Sequence, residues 1–177
     1  MKARRPVHPK ARRAVPLARI RLVVLDVDGV LTDGRLYFSS RGEELKVFHV
    51  RDGHGIKLLI ESGVAVAALS GRRSAAVSVR MRELGVRHVV QACRDKVAAL
   101  SDLSRTLGID LLACACIVDD TPDLPLMSAV GFAAAVADAH PLVKSAAHWT
   151  STAPGGAGAV RELCDAILRA RSRARPP

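Results

Sequence analysis

The stretch Ile20-Arg21-Leu22-Val23-Val24-Leu25-Asp26-Val27-Asp28-Gly29-Val30-Leu31-Thr32 decides the fold. After Arg21 it is apolar without alternation, as a strand covered on both faces must be. It then breaks into Asp-Val-Asp-Gly, the polar signal expected at the carboxyl edge of a parallel strand. Comparable apolar runs follow at Val64 to Leu69, Val86 to Val90, Leu111 to Val118 and Gly131 to Val136. Helical patterns lie between them: Asp52 to Ser62, Ser74 to Leu84 and Asp95 to Leu107, each followed by a glycine suited to a helix stop. Short helices are expected from near Pro122 to Val130 and from Pro141 to Ala147, a short strand near Trp149, and a final helix from Ala159 to Ala170 with a frayed Arg-rich end. The alternation implies an α/β fold, a doubly wound, Rossmann-like parallel sheet. Right-handed crossovers place all strand carboxyl ends on one edge, where such sheets bind ligands.

Residues 35–49 break the pattern. Leu36-Tyr37-Phe38 and Leu45-Lys46-Val47-Phe48 flank the polar turn Ser39 to Glu43, which predicts a small β-hairpin flap. From Asp28 to Ser70 there is room for that flap and one helix, and from Ser70 to Lys96 for a helix, a strand and a loop. Neither interval accommodates a cap domain.

The 177 residues suit one domain, 20–170, preceded by a flexible basic arm, 1–19, and followed by a basic tail, 171–177. The net charge of +10 belongs to these ends. Residues 1–21 carry eight Lys or Arg and residues 169–177 carry four, leaving 15 of the 27 basic groups against all 17 acidic ones in residues 22–168. A folded part that is slightly acidic argues against a nucleic-acid-binding face. No apolar run approaches the roughly 18 residues that span a membrane, and Arg19, Arg21 and Asp26 interrupt any signal-peptide core. The four cysteines lack zinc-site spacing and are read as reduced thiols in a cytoplasmic protein.

Three polar clusters converge on the ligand edge: Asp26 with Asp28, Ser70 with Gly71, and Asp119 with Asp120. Clustered carboxylates repel and call for a hard cation, Mg²⁺ where phosphate is handled. A cation beside carboxylates also lets one of them attack phosphorus. Ser70 offers a hydroxyl, Gly71 an approachable N–H, and Lys96, at a helix start, a point charge for phosphate.

Asp26-Val27-Asp28-Gly29-Val30-Leu31-Thr32, Ser70, Lys96 and Asp119-Asp120-x-x-Asp123 resemble, in order, the four motifs of the haloacid dehalogenase-like phosphatases. Val50-Arg51-Asp52-Gly53, Ser70-Gly71-Arg72, Ala137 to Pro141 and Gly155 to Glu162 narrow the resemblance to the capless 3-deoxy-D-manno-octulosonate 8-phosphate phosphatases. The resemblance implies that Asp26 is the nucleophile and Asp28 the general acid, then base. It implies that Mg²⁺ is held by the Asp26 carboxylate, the Asp28 carbonyl and Asp119, supported by Asp120, and that Ser70, Gly71 and Lys96 hold the phosphate. Arg72, with Arg51 and Thr32, is expected at the sugar acid. The resemblance also implies a homotetramer whose hairpins cover neighbouring sites, a sugar-phosphate substrate, and a cytoplasmic place in lipopolysaccharide precursor synthesis, with no membrane or nucleic-acid partner. Two positions depart from it: Val118 replaces a usual Gly, and Ala157 stands where many relatives have Arg. Three alternatives stay open at this point: a nine-carbon keto sugar acid phosphate as substrate, a broad-specificity phosphatase, and a non-catalytic or receiver-like domain.

Overall fold

In the computed structural model, which describes residues 14–40 and 44–174, the deciding run forms β1 (Leu22–Leu25), buried at every position. β1 pairs in parallel with β4 (Ala65–Leu69) on one side and β6 (Cys114–Val118) on the other, with Leu25 between Ala68 and Ile117. β5 (His88–Val90) extends the sheet beyond β4; β7 (Phe132–Ala135) and β8 (Trp149–Thr150) extend it beyond β6. The order β5-β4-β1-β6-β7-β8, with parallel pairing throughout, is the doubly wound sheet expected from the sequence. The chain winds outward from β1 in one direction, then returns to build the other half. That reversal opens a crevice at the carboxyl end of β1.

Among the described residues, six α-helices cover the sheet. α1 (Val50–Glu61) packs on α6 (Ala159–Ala174) and on α2 (Ala75–Leu84). α4 (Leu124–Ala129) packs between α3 (Lys96–Leu107) and α5 (Pro141–Ala146). α1 starts two residues earlier than its pattern suggested, because the His49 ring caps it and accepts from the Arg51 N–H. The run from Leu111 opens with a 3-10 turn, Leu111–Ala113, because the Asp110 carboxylate accepts from the Leu112 N–H. The strand proper begins at Cys114.

Both ends are more firmly held than their composition suggests. Val15 N–H donates to the Gly131 carbonyl at 2.9 Å, Leu17–Arg19 form a 3-10 turn, and Leu17 packs on the core. Residues 14–19 of the expected arm therefore belong to the packed body. α6 continues past Ala170 because the Arg171 guanidinium donates to the carbonyls of Ile20, at 3.0 Å, and Ser62, at 3.3 Å. The rest of the basic arm (1–13), the last residues of the tail (175–177) and the tip of the hairpin (41–43) lie outside the described residues. No helix among the described residues is long and apolar enough to cross a membrane.

Among the described residues, the flap and α1 fill the interval between β1 and β4. The flap pairs β2 (Tyr37–Phe38) with β3 (Glu44–Leu45) in antiparallel fashion, Tyr37 opposite Leu45. Its polarity is inverted. Leu45 is 69% exposed and Val47 63%, while the Lys46 side chain between them is 2% exposed.

Candidate active site

The site grows from the end of β1. The Asp26 N–H continues the ladder by donating to the Ile117 carbonyl, and its side chain is nearly buried. Lys96 opens α3, whose start is fixed by the Asp95 carboxylate accepting from the Ala98 N–H. From there its Nζ donates to Asp26 Oδ1 at 2.8 Å and to Asp123 Oδ2 at 2.7 Å. Burial alone would lower the Lys96 pKa. Asp26 and Asp123 outweigh it, so the net shift is upward and the ammonium is secured.

Carboxylates crowd the other side. Asp119 follows β6, and burial together with the adjacent Asp26 pushes its carboxyl up to about 7. Burial and Asp26 also raise Asp123, although Lys96 opposes the shift. Gly29, at φ +83°, is what lets Asp119 lie so close: a Cβ there would sit 2.1 Å from Asp119 Oδ2. Asp120 is exposed and caps the following turn by accepting from the Thr121 N–H. Asp28 is held from two directions. Lys46 from the flap donates to its Oδ1, and the Ser70 hydroxyl at the end of β4 donates to its Oδ2 at 3.4 Å. Ser70 Oγ in turn accepts from the Arg72 N–H at 3.1 Å. Gly71, Arg72 and Arg51 are exposed.

Thr32, expected at the sugar acid, is bonded within its own loop. It is 2% exposed, and its hydroxyl accepts from the N–H groups of Gly29 and Gly34 and donates to the Val27 carbonyl. It shapes the loop from within. Behind that loop lies the C-terminal glycine segment. A Cβ on Gly155 would sit 1.8 Å from the Gly29 carbonyl oxygen, and the Gly156 N–H donates to Val30. Asp52 anchors this segment from α1, accepting from the N–H groups of Gly158, at 3.3 Å, and Arg161, at 2.7 Å.

Lys46 and Asp123 join the residues expected from the sequence. The signal for Lys46 is the inverted alternation Leu45-Lys46-Val47, which aims a cation inward. The signal for Asp123 is its place three residues after Asp120, at the close of the 3-10 turn Thr121–Asp123.

The residues fit a divalent cation. Asp26 and Asp119 repel, and Asp123 Oδ1 is buried without a hydrogen-bond partner. Among the described residues no three His, Cys, Asp or Glu side chains form a ready cage. The expected ligands are two carboxylates and a main-chain carbonyl, and Mg²⁺ ordinarily keeps several waters.

Residues 85–162 match the haloacid dehalogenase-like hydrolase family. The chain is 47% identical to the 3-deoxy-D-manno-octulosonate 8-phosphate phosphatase of Yersinia pestis over 88% of its own length and 83% of the relative's. Against the same enzyme of Escherichia coli K12 the identity is 46%, over 87% and 82%. The chain belongs to this phosphatase family. The crystal structure of the Yersinia pestis phosphatase superposes with a TM-score of 0.88, covering 89% of this chain and 85% of that one at 47% identity. The Moraxella catarrhalis phosphatase, solved with magnesium, phosphate and the sugar acid, gives a TM-score of 0.87 at 41% identity, covering 89% and 91%. As a haloacid dehalogenase-like hydrolase, the chain carries its four motif elements after β1, after β4, at the start of α3 and after β6.

Proposed function

We propose that the chain hydrolyses 3-deoxy-D-manno-octulosonate 8-phosphate to the free sugar acid and phosphate, through an aspartyl-phosphate on Asp26. The observation that carries this is the Lys96 bridge between Asp26 and Asp123, on the same sheet edge as Asp28, Ser70 and Asp119. The relatives of that name, matched over more than four-fifths of their length, support the substrate.

In this reading an Asp26 carboxylate oxygen attacks phosphorus while Lys96, Ser70 and the Gly71 N–H orient the phosphoryl oxygens. Asp28 gives a proton to the leaving sugar oxygen as the P–O bond breaks. It then takes a proton from water as that water attacks the aspartyl-phosphate, and the Asp26 carboxylate departs with the bonding pair. Asp26, the Asp28 carbonyl and Asp119, with Asp120 nearby, would hold Mg²⁺, which when bound offsets the charge of the phosphate and carboxylates. Arg72 and Arg51, both exposed, would supply cations for the sugar acid's carboxylate.

The flap's outward Phe38, Leu45 and Val47 support a homotetramer that covers these faces, and the setting is cytoplasmic lipopolysaccharide precursor synthesis. The test is Mg²⁺-dependent phosphate release from the eight-carbon substrate, beside a nine-carbon keto acid phosphate and an aryl phosphate. Preference for the first, lost in Asp26→Asn, supports the reading. Equal slow turnover of all three removes the specific substrate and leaves a general phosphatase.

A further inference from the structure

We infer that Lys46 is a positioning residue that selects which oxygen of Asp28 faces the substrate. The inference rests on the role proposed for Asp28 and extends it to the flap.

Lys46 sits just after β3, and its side chain is 2% exposed although its neighbours Leu45 and Val47 point to solvent. A lysine ammonium is strongly hydrated and is buried only against a partner. Here that partner is Asp28 Oδ1. The other oxygen, Oδ2, accepts only a long hydrogen bond, 3.4 Å, from Ser70 Oγ, and that hydroxyl, unlike an ammonium, can turn to accept when Oδ2 is protonated. The two oxygens are thus made unequal. An ammonium has only donors, so the oxygen it occupies accepts and does not carry the acid proton. The transferable proton is directed to Oδ2, the oxygen on the side of the reacting phosphate.

In the first half-reaction the Oδ2–H bond breaks, the proton passes to the leaving oxygen, and that oxygen keeps the electron pair of the broken P–O bond. Lys46 donates to Oδ1 before and after. Asp28 is left as a carboxylate already aligned for the second half-reaction, in which Oδ2 takes the proton of the attacking water. The flap therefore adds a geometric constraint to proton transfer as well as cover.

The test separates proton transfer from binding by varying the leaving group alone. The Mg²⁺-loaded enzyme is assayed on a series of substituted phenyl phosphates, and kcat/KM is plotted against the leaving phenol's pKa. This ratio reports the steps through P–O cleavage and excludes later hydrolysis of the aspartyl-phosphate. Phenyl phosphates also lack the sugar acid, so lost sugar contacts do not enter. With a working acid the dependence is shallow. Lys46→Met is expected to steepen it, losing about 100-fold on the poorest leaving group and under about threefold on the best. Lys46→Arg, which keeps a donor, is expected to restore most of the loss. In an Asp28→Asn background, Lys46→Met is expected to change the slope no further. A loss of the same factor across the series, or an unchanged line, overturns this inference while leaving the phosphatase reading in place. Absence of turnover by the unaltered enzyme on this series and on the sugar acid phosphate overturns both.

Discussion

The carboxyl edge of the sheet and the flap above it are built on opposite principles. At the edge, charged groups are buried: Asp26 and Asp123 are both under a tenth exposed, with Lys96 between them. On the flap, apolar groups are exposed: Phe38 at 61%, Leu45 at 69% and Val47 at 63%. Buried charge survives only where a rigid frame supplies partners, and here β1, β6 and the start of α3 supply them. Exposed apolar surface persists where something else is to cover it. The edge gathers charge and the flap leaves apolar surface uncovered within one chain, with Lys46 joining the two.

The largest effect that breaks the edge is Asp26→Asn. It removes the attacking oxygen but keeps the shape and one acceptor for Lys96. Turnover is expected to fall by about 10⁴-fold or more, as when other covalent nucleophiles are removed. The variant should still unfold cooperatively, since the loss of the Lys96 ion pair is offset in part by the repelling charge removed beside Asp119. Retained turnover would move the nucleophile elsewhere.

The next effect reads the crowding itself. Burial and the adjacent Asp26 push the Asp119 carboxyl from its ordinary 3.8 up to about 7. A raised acid pKa means the folded state binds that proton more tightly. Its contribution is therefore full below the unfolded pKa and is lost as pH rises through the folded one. Without Mg²⁺ the protein is expected to lose melting temperature between about pH 4 and pH 7, from the unfolded pKa of Asp119 to the folded one. Asp119→Asn should flatten that slope, and added Mg²⁺ should stabilise the unaltered protein at the upper end only. Thermal melts across pH, with and without Mg²⁺, check this; an equal slope in both proteins would show that another group carries it.

These contrasts also explain what was readable in the sequence. β1 and its two aspartates were legible because an unalternating run has few other readings and because the polar residues fall at its end. Asp119 was legible for the same reason at β6. Lys46 was not, since its partner lies 18 residues earlier and the approach depends on how the flap folds back. The loop bonds of Thr32 were not legible either, because its residue type permits a substrate contact as well as a loop contact. Only the positions of the Gly29 and Gly34 N–H groups decide between them. Asp52 read as an ordinary residue at a helix start. Its function is to accept from backbone N–H groups 106 and 109 residues away.

Asp52 gives the third prediction, on the frame rather than the chemistry. Burial raises its carboxyl pKa, partly opposed by the N–H of Arg161, so the group is held against desolvation by its contacts. Asp52→Ala leaves the start of α6 without its acceptor and is expected to destabilise the chain by about 2 kcal/mol. Asp52→Asn, which keeps one carbonyl oxygen, should lose less. Denaturant unfolding of both variants measures the difference, and equal losses would assign the effect to packing.

The smallest expected effect on the fold is the one that sharpens the comparison most. Phe38→Ser with Val47→Ser alters two side chains that rest mainly in solvent within a single chain. If the edge and the flap serve different ends, the unfolding free energy of the dissociated chain should change by no more than about 0.5 kcal/mol, as for ordinary surface changes. The assembled mass measured by sedimentation should fall, and the melting temperature of the unaltered protein should depend on its concentration where that of the variant does not. A large loss of stability at high dilution would instead mean that the flap packs on its own domain. The inverted alternation around Lys46 would then be a matter of one chain's packing, and the apolar face would need no neighbour to account for it.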